Sequence, residues 1–155
     1  MADNDVVLRA PHVIEYPYSR SVGPVIGGFL TGLRDGKLLG AQSRAADGTP
    51  TVVVPPTEYD PITGADVGEL VEVGQAGVVT TWAWSGSPRA DQPLDRPFAW
   101  ALIRLDGADT ALLHAVDAGS PSALSSGMRV VARWRDAPER VGRIQDIECF
   151  VPERA

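Results

Sequence analysis

The sequence predicts a mainly β protein: a short helix, a turn-rich segment with two small strands, and a Greek-key barrel in its second half. Three observations lead there. Sixteen Gly and thirteen Pro among 155 residues fit a loop-rich β protein better than a helical bundle, whose element interiors exclude both. From Leu70 onward, short apolar runs recur with turn residues between them. Only the stretch after Pro24 places its apolar residues at helical spacing.

Residues 1–22 read as an extended arm, because Ala10-Pro11 and Tyr16-Pro17 keep the residue before each proline out of the helical region. Within it, Val13-Ile14-Glu15-Tyr16 has the character of a short strand or a segment lying on a partner. A helix follows over 24–35. Pro24 suits a first turn, Val25, Ile26, Phe29, Leu30 and Leu33 recur on one face, and Gly36 is the stop. Gly27, Gly28 and Gly32 each cost this helix about 1 kcal/mol relative to Ala. It therefore needs a surface to pack on, and Gly27 and Gly28 permit close approach.

Two strands, 38–42 and 51–54, flank a turn at Asp47-Gly48; Pro55-Pro56 ends the second and a turn-rich loop occupies 57–64. Six further strands are predicted at 70–73, 78–84, 98–105, 111–116, 128–135 and 143–151. In the fifth of these, Val130, Ala132 and Trp134 alternate with Arg129, Arg133 and Arg135. Leu105-Asp106-Gly107-Ala108-Asp109 is a hairpin connection, and a long loop spans 85–97. Short strands with such turns point to a small barrel of the OB type. The organisation is an arm (1–22), a helix with a turn-rich segment (23–69) and a barrel (70–152).

Charge narrows the function classes. The formal net charge is −6, with a sequence pI near 4.8. Nonspecific nucleic-acid binding draws its affinity from neutralised phosphates, so this acidity argues against it. The charge is uneven: residues 1–75 are net −5 and residues 76–155 net −1. Of fourteen basic residues only Lys37 is a lysine, and no phosphate-binding loop of the G-x-x-x-x-G-K-[ST] kind is present. Cys149 has no partner for a disulfide. No apolar run approaches about 18 residues. A soluble, cytoplasmic protein is the expectation, with no membrane span.

Candidate chemistry is sparse. His114, Asp117 and Ser120 contain the residue types of a hydrolytic triad, but a triad is defined by geometry, and His114 shares a strand face with Leu112 and Val116. It reads as a core or interface histidine. Cys149, between Glu148 and Phe150, reads as a small buried apolar residue. His12 stands alone in the arm. Trp82 and Trp84 share one strand face, with Trp100 on a neighbouring strand beyond the loop holding Arg89 and Arg96; aromatics and arginines of this kind are enriched at interfaces. Arg129, Arg133, Arg135, Arg140 and Arg143 put five guanidinium groups close together, either a solvated face balanced by Asp136, Glu139 and Asp146 or a phosphate-recognising surface.

Two stretches are more specific. One is Phe29-Leu30-Thr31-Gly32-Leu33-Arg34-Asp35-Gly36-Lys37-Leu38-Leu39-Gly40 with Val54-Pro55-Pro56 and Asp60-Pro61-Ile62-Thr63-Gly64. The other runs from Asp95-Arg96-Pro97-Phe98-Ala99-Trp100 through Leu105-Asp106-Gly107 to Gly127-Met128-Arg129-Val130. Together they resemble the acyl-CoA-associated OB-fold family, long called domain of unknown function thirty-five, over roughly residues 20–151. The resemblance implies an N-terminal helix, a rubredoxin-like zinc ribbon and a Greek-key OB-fold barrel. The family's ribbon carries C-x-x-C-G and C-P-x-C-G; laid on this chain, its ligand positions are Ser43, Ala46, Asp60 and Thr63. All four thiolates are missing, while Gly48 (displaced by one residue), Pro55-Pro56, Pro61 and Gly64 remain. A degenerate ribbon without metal is therefore expected, its turns held by Tyr59, Val52, Val54 and the prolines.

The resemblance also implies a role. Relatives accompany thiolases, and others accompany thiolase-like aldolases of the lipid-transfer-protein type that shorten steroid side chains. The expected function is a non-catalytic subunit that stabilises such an enzyme and helps it bind acyl-CoA thioesters, in a hetero-oligomer with two copies flanking a partner dimer. No cofactor is expected; acyl-CoA is the ligand of the complex. Acyl-CoA or partner contacts are assigned to Trp82, Trp84, Arg89, Arg96, Trp100 and Arg133, and partner docking to Val25, Phe29 and Leu33 of the helix. The alternatives are an independent acyl-CoA carrier and, less favoured by charge, a single-stranded nucleic-acid-binding OB module.

Overall fold

The computed structural model describes residues 10–17, 19 and 21–153. Helix α1 (Pro24–Arg34) is followed by strands β1 (Leu39–Arg44), β2 (Pro50–Val53), β3 (Leu70–Glu72), β4 (Ala76–Ser85), β5 (Phe98–Leu105), β6 (Leu112–Val116), β7 (Arg129–Trp134) and β8 (Ile147–Pro152). Short 3₁₀ turns lie at Pro121–Ala123, Ala137–Glu139 and Ile144–Asp146. Most of the expected arm lies outside the described residues. Its described part has no regular structure, so Val13-Ile14-Glu15-Tyr16 adds no strand, and Val13, Ile14 and Tyr16 are exposed.

The helix forms where its apolar spacing predicts and stops at Gly36, whose φ of 74° few other residues adopt. Its inner face buries Phe29 and Leu33 in the main core. Of the two glycines expected to permit close approach, Gly28 does so, since a Cβ there would overlap the Leu70 side chain, whereas one on Gly27 would only touch Val22 at 3.5 Å.

Strands β2, β1 and β3 form a three-stranded antiparallel sheet in that order, with Ala41 opposite both Val53 and Leu70. Leu70–Glu72, expected as the first barrel strand, thus completes the smaller sheet, and the barrel starts at Ala76. The outer edge of β2 is covered by the β5–β6 connection. Asp109 N–H donates to the Val52 carbonyl (2.9 Å), while its carboxylate accepts from the Val52 amide (2.8 Å). Thr110 Oγ1 likewise bonds both the N–H and the carbonyl of Val54. An edge satisfied in this way offers no free ladder to another chain.

The remaining five strands close into a barrel of order β4-β5-β6-β8-β7, with β7 returning to β4. All pairings are antiparallel except β6 with β8, where Val116 meets Phe150. That combination is the Greek-key OB topology. Val79, Ala99, Ala101, Ile103, Leu105, Val116, Val130, Ile147 and Phe150 fill the interior and join Phe29, Leu33 and Leu38 of the helix and small sheet. Among the described residues, no helix is long and apolar enough to cross a membrane.

Candidate functional site

A cleft of about 750 Å³ opens on one side of the barrel. Arg89, Asp91, Gln92 and Pro93 reach it from the β4–β5 loop, and Arg135, Arg143, Ile144 and Gln145 from the β7–β8 connection. Its floor includes Trp100 on β5, Leu113 and His114 on β6, and Ile147 and Glu148 on β8. These are the two loops and the strand face with which OB barrels hold ligands.

Three arginines border the cleft, and Asp91 and Glu148 share its lining. Arg89 pairs with Asp91 at 3.2 Å with both side chains largely exposed. Arg135 Nε donates to the Gln145 carbonyl at 2.8 Å. Arg143 lies 3.9 Å from Asp146, but that fully buried carboxylate is committed to the amides of Val141, Gly142 and Arg143. Burial pushes the Asp146 carboxyl up, and those amides more than offset it, so it stays ionised as the anchor of the β7–β8 connection. Trp100, half-buried and edge-on to Phe98 at 5.3 Å, supplies the aromatic surface beside these charges.

Of the residues assigned to ligand or partner contact, the structure brings Arg89 and Trp100 together in the cleft. Arg96 and Arg133 lie outside its lining and converge on Asp117. Arg96 reaches that carboxylate at 2.8 Å and Arg133 at 3.4 Å, while Arg133 also forks onto Glu148. Burial raises the Asp117 pKa, but the Arg96 hydrogen bond and both positive charges prevail and hold it below the usual carboxylate range. Arg96 and Arg133 are thus a neutralised network, not open phosphate donors.

The tryptophans do not form one surface. Trp82 pairs with Ala101 and Trp84 with Ala99, so both indoles sit on the side of the main core, against which they pack. Trp100 pairs with Ala83 and faces the opposite way, packing on the Leu94, Phe98, Ala115 and Cys149 cluster. The cause is a bulge between Val79 and Thr81, which shifts the register by one residue. Without it, Trp82 would stand opposite Trp100. Of the helix residues assigned to docking, Phe29 and Leu33 are 5% and 0% exposed and belong to this chain's own core, while Val25 is half-buried.

The remaining candidates are structural. His114 is buried edge-on to Phe150 at 5.5 Å, its ring nitrogens 3.5 and 3.4 Å from the carbonyls of Ala115 and Ile144. Burial drives its pKa down and keeps it neutral. Asp117 serves the arginines and Ser120 meets Ser122, so no triad assembles from these three. Cys149 is fully buried, and that burial pushes its thiol up to about 11, against the pull of Arg133.

A second hollow of about 520 Å³ lies in the small sheet, lined in part by Ser43, Arg44, Asp60, Thr63 and Asp66. Three of the four positions matched to family metal ligands meet here. Ser43 Oγ donates to Asp60 Oδ2, and Thr63 donates to Asp60 Oδ1 from its amide (2.7 Å) and hydroxyl (2.9 Å). Ala46 is exposed and takes no part. The donor set does not fit zinc, which needs about four soft or imidazole ligands. Among the described residues, no three His, Cys, Asp or Glu side chains gather as a metal site would require. Tyr59, expected to hold these turns, has a 62% exposed side chain and bridges to Asp66 through its backbone, while the Asp60 carboxylate ties the turn to Ser43.

Arg135 and Arg143 were named in the sequence only as members of an arginine run. What singles them out is position, on the connection that an OB barrel places opposite its first loop.

A closed five-stranded Greek-key barrel with a loop-bordered cleft defines an OB-fold protein. Residues 70–135 match the family model of the ChsH2 C-terminal OB-fold domain. Over the whole fold, the chain is similar to one from the structure described as "Ltp2-ChsH2(DUF35) aldolase". The TM-score is 0.58 and the identity 23%, over 86% of this chain and 98% of that one. It is also similar to a protein with unknown function of the DUF35 family from Sulfolobus solfataricus. There the TM-score is 0.53 and the identity 20%, over 71% of this chain and 78% of the other. No curated protein matches the sequence.

Proposed function

We propose that this chain is a non-catalytic accessory subunit of a thiolase-superfamily enzyme, with an aldolase of the lipid-transfer-protein type as its partner. In this reading it stabilises the partner and helps it hold acyl-CoA thioesters, two copies flanking a partner dimer. The observation that carries the reading is the match of the barrel to the ChsH2 C-terminal OB-fold domain, supported by the likeness to a chain from an Ltp2-ChsH2 aldolase. The internal commitments of His114, Asp117 and Cys149 are consistent with a subunit that leaves chemistry to its partner.

Acyl-CoA binding rests on the cleft. Coenzyme A presents phosphates, which guanidinium groups recognise bidentately, and an adenine ring, which stacks on indole faces. Arg89, Arg135, Arg143 and Trp100 offer both. Because this chain alone forms the cleft, an independent acyl-CoA carrier is the second reading. Calorimetric titration separates the two. The subunit reading expects acyl-CoA to bind the complex tightly and the isolated chain at least about tenfold more weakly, a difference of ~1.4 kcal/mol. Equal affinity for both supports the carrier, and no binding to either overturns acyl-CoA recognition.

A further inference from the structure

The small sheet contains an unusual centre. Asp60 is 5% exposed, and its carboxylate accepts four hydrogen bonds: from Ser43 Oγ, the Ile62 amide (2.9 Å), the Thr63 amide (2.7 Å) and Thr63 Oγ1 (2.9 Å). Its backbone is engaged as well, the N–H donating to the Ala65 carbonyl and the carbonyl accepting from Gly64. One residue thus ties strand β1 to the 60–65 turn across 17 positions of sequence. Three of these bonds reach Oδ1 and one reaches Oδ2, so neutral donors supply all four of the carboxylate's contacts here.

We infer that the Asp60 carboxylate does for this sheet what a bound cation does in a metal ribbon, with the charges inverted: an anion at the centre and hydroxyl and amide donors around it. A ribbon cation is held by anionic thiolates and joins two turns; here the anion belongs to one turn, and the other offers Ser43. Swapping ionic coordination for hydrogen bonds makes the fold of 39–72 independent of metal supply and of thiol oxidation. This inference does not depend on the proposed partner or ligand.

The test uses the full chain. Elemental analysis of the purified protein and thermal melts with and without a chelator are paired with the variants Asp60→Asn, Asp60→Ala and Ser43→Ala. Expected are substoichiometric metal, melts unchanged by chelator, and a lowered midpoint in all three variants, by about 2–8 °C for those that fold. Ser43→Ala removes one donor and keeps the charge, so it gives a reading even if the Asp60 variants fail to fold. Stoichiometric zinc, a midpoint lowered by chelator, or variants that melt with the wild type would each overturn the inference.

Discussion

Glu58 caps helix α1 from a distance: its Oε1 accepts the backbone N–H of Ile26 at 2.8 Å, across 32 residues of sequence. Oε2 reaches the Val25 amide at 3.4 Å. Gly23, in the N-cap position, has no side chain to do this, and a Cβ there would collide with the Glu58 carboxylate. The first turn's orphan amides and the positive end of the helix dipole are therefore served by the loop that also carries Asp60. Glu58→Ala should cost about 0.5–2 kcal/mol, the range for a lost cap, while Glu58→Gln retains an acceptor and should cost less. Urea denaturation measures both, and an unchanged stability in Glu58→Ala would show that the cap contributes little.

Asp60 makes a pH prediction. Its hydrogen bonds, led by that from Ser43, hold its pKa at about 2 in the folded chain, below the ordinary value of 3.8. A carboxyl depressed by folding contributes stability that is full above its unfolded pKa and lost as pH falls through the folded one. Arg44 and Asp66, which line the same hollow, are the charged groups to account for in any titration. Wild type and Asp60→Asn should differ in melting midpoint at pH 7, converge below about pH 4 and coincide near pH 2. A gap that stays constant over this range would mean that the charge on Asp60 contributes nothing.

Leu33 separates core from docking surface. At 0% exposure inside the main cluster, Leu33→Ala should destabilise the isolated chain by about 2–5 kcal/mol. An unchanged denaturation midpoint, with loss of partner binding only, would instead return this face to the interface.

The single thiol should be nearly inert. With a pKa near 11 and no exposure, Cys149 should react with a disulfide reagent at pH 8 at least about 100-fold more slowly than free cysteine. Unfolding in guanidinium should restore the ordinary rate. Rapid labelling of the native chain would place the thiol outside the Leu94–Phe98–Trp100 cluster.

Much of this was legible in the sequence because the barrel strands follow simple alternation and their turns are marked by glycine. Phe98–Leu105 formed at the bounds predicted for it, and the helix differed by a single residue at its end. Three things were hidden. Leu70–Glu72 is three residues long, and nothing in so short a run says which of two sheets it joins. The bulge at Val79 and Thr81 inserts one residue without a glycine or proline to mark it, and it turned Trp82 and Trp84 away from Trp100. Pairing partners were also invisible: the same Arg-rich run supplies Arg133 to an ion network and Arg135 and Arg143 to a cleft, a division set by barrel closure and not by local sequence.

The subunit assignment is tested most directly by co-expressing this chain with the thiolase-like aldolase of its own source and measuring the mass of the purified product by size-exclusion chromatography with light scattering. The account predicts one co-eluting species of two copies of each chain, with aldolase activity that falls when this chain is omitted. Separate elution of the two proteins, with activity unchanged by omission, would contradict it.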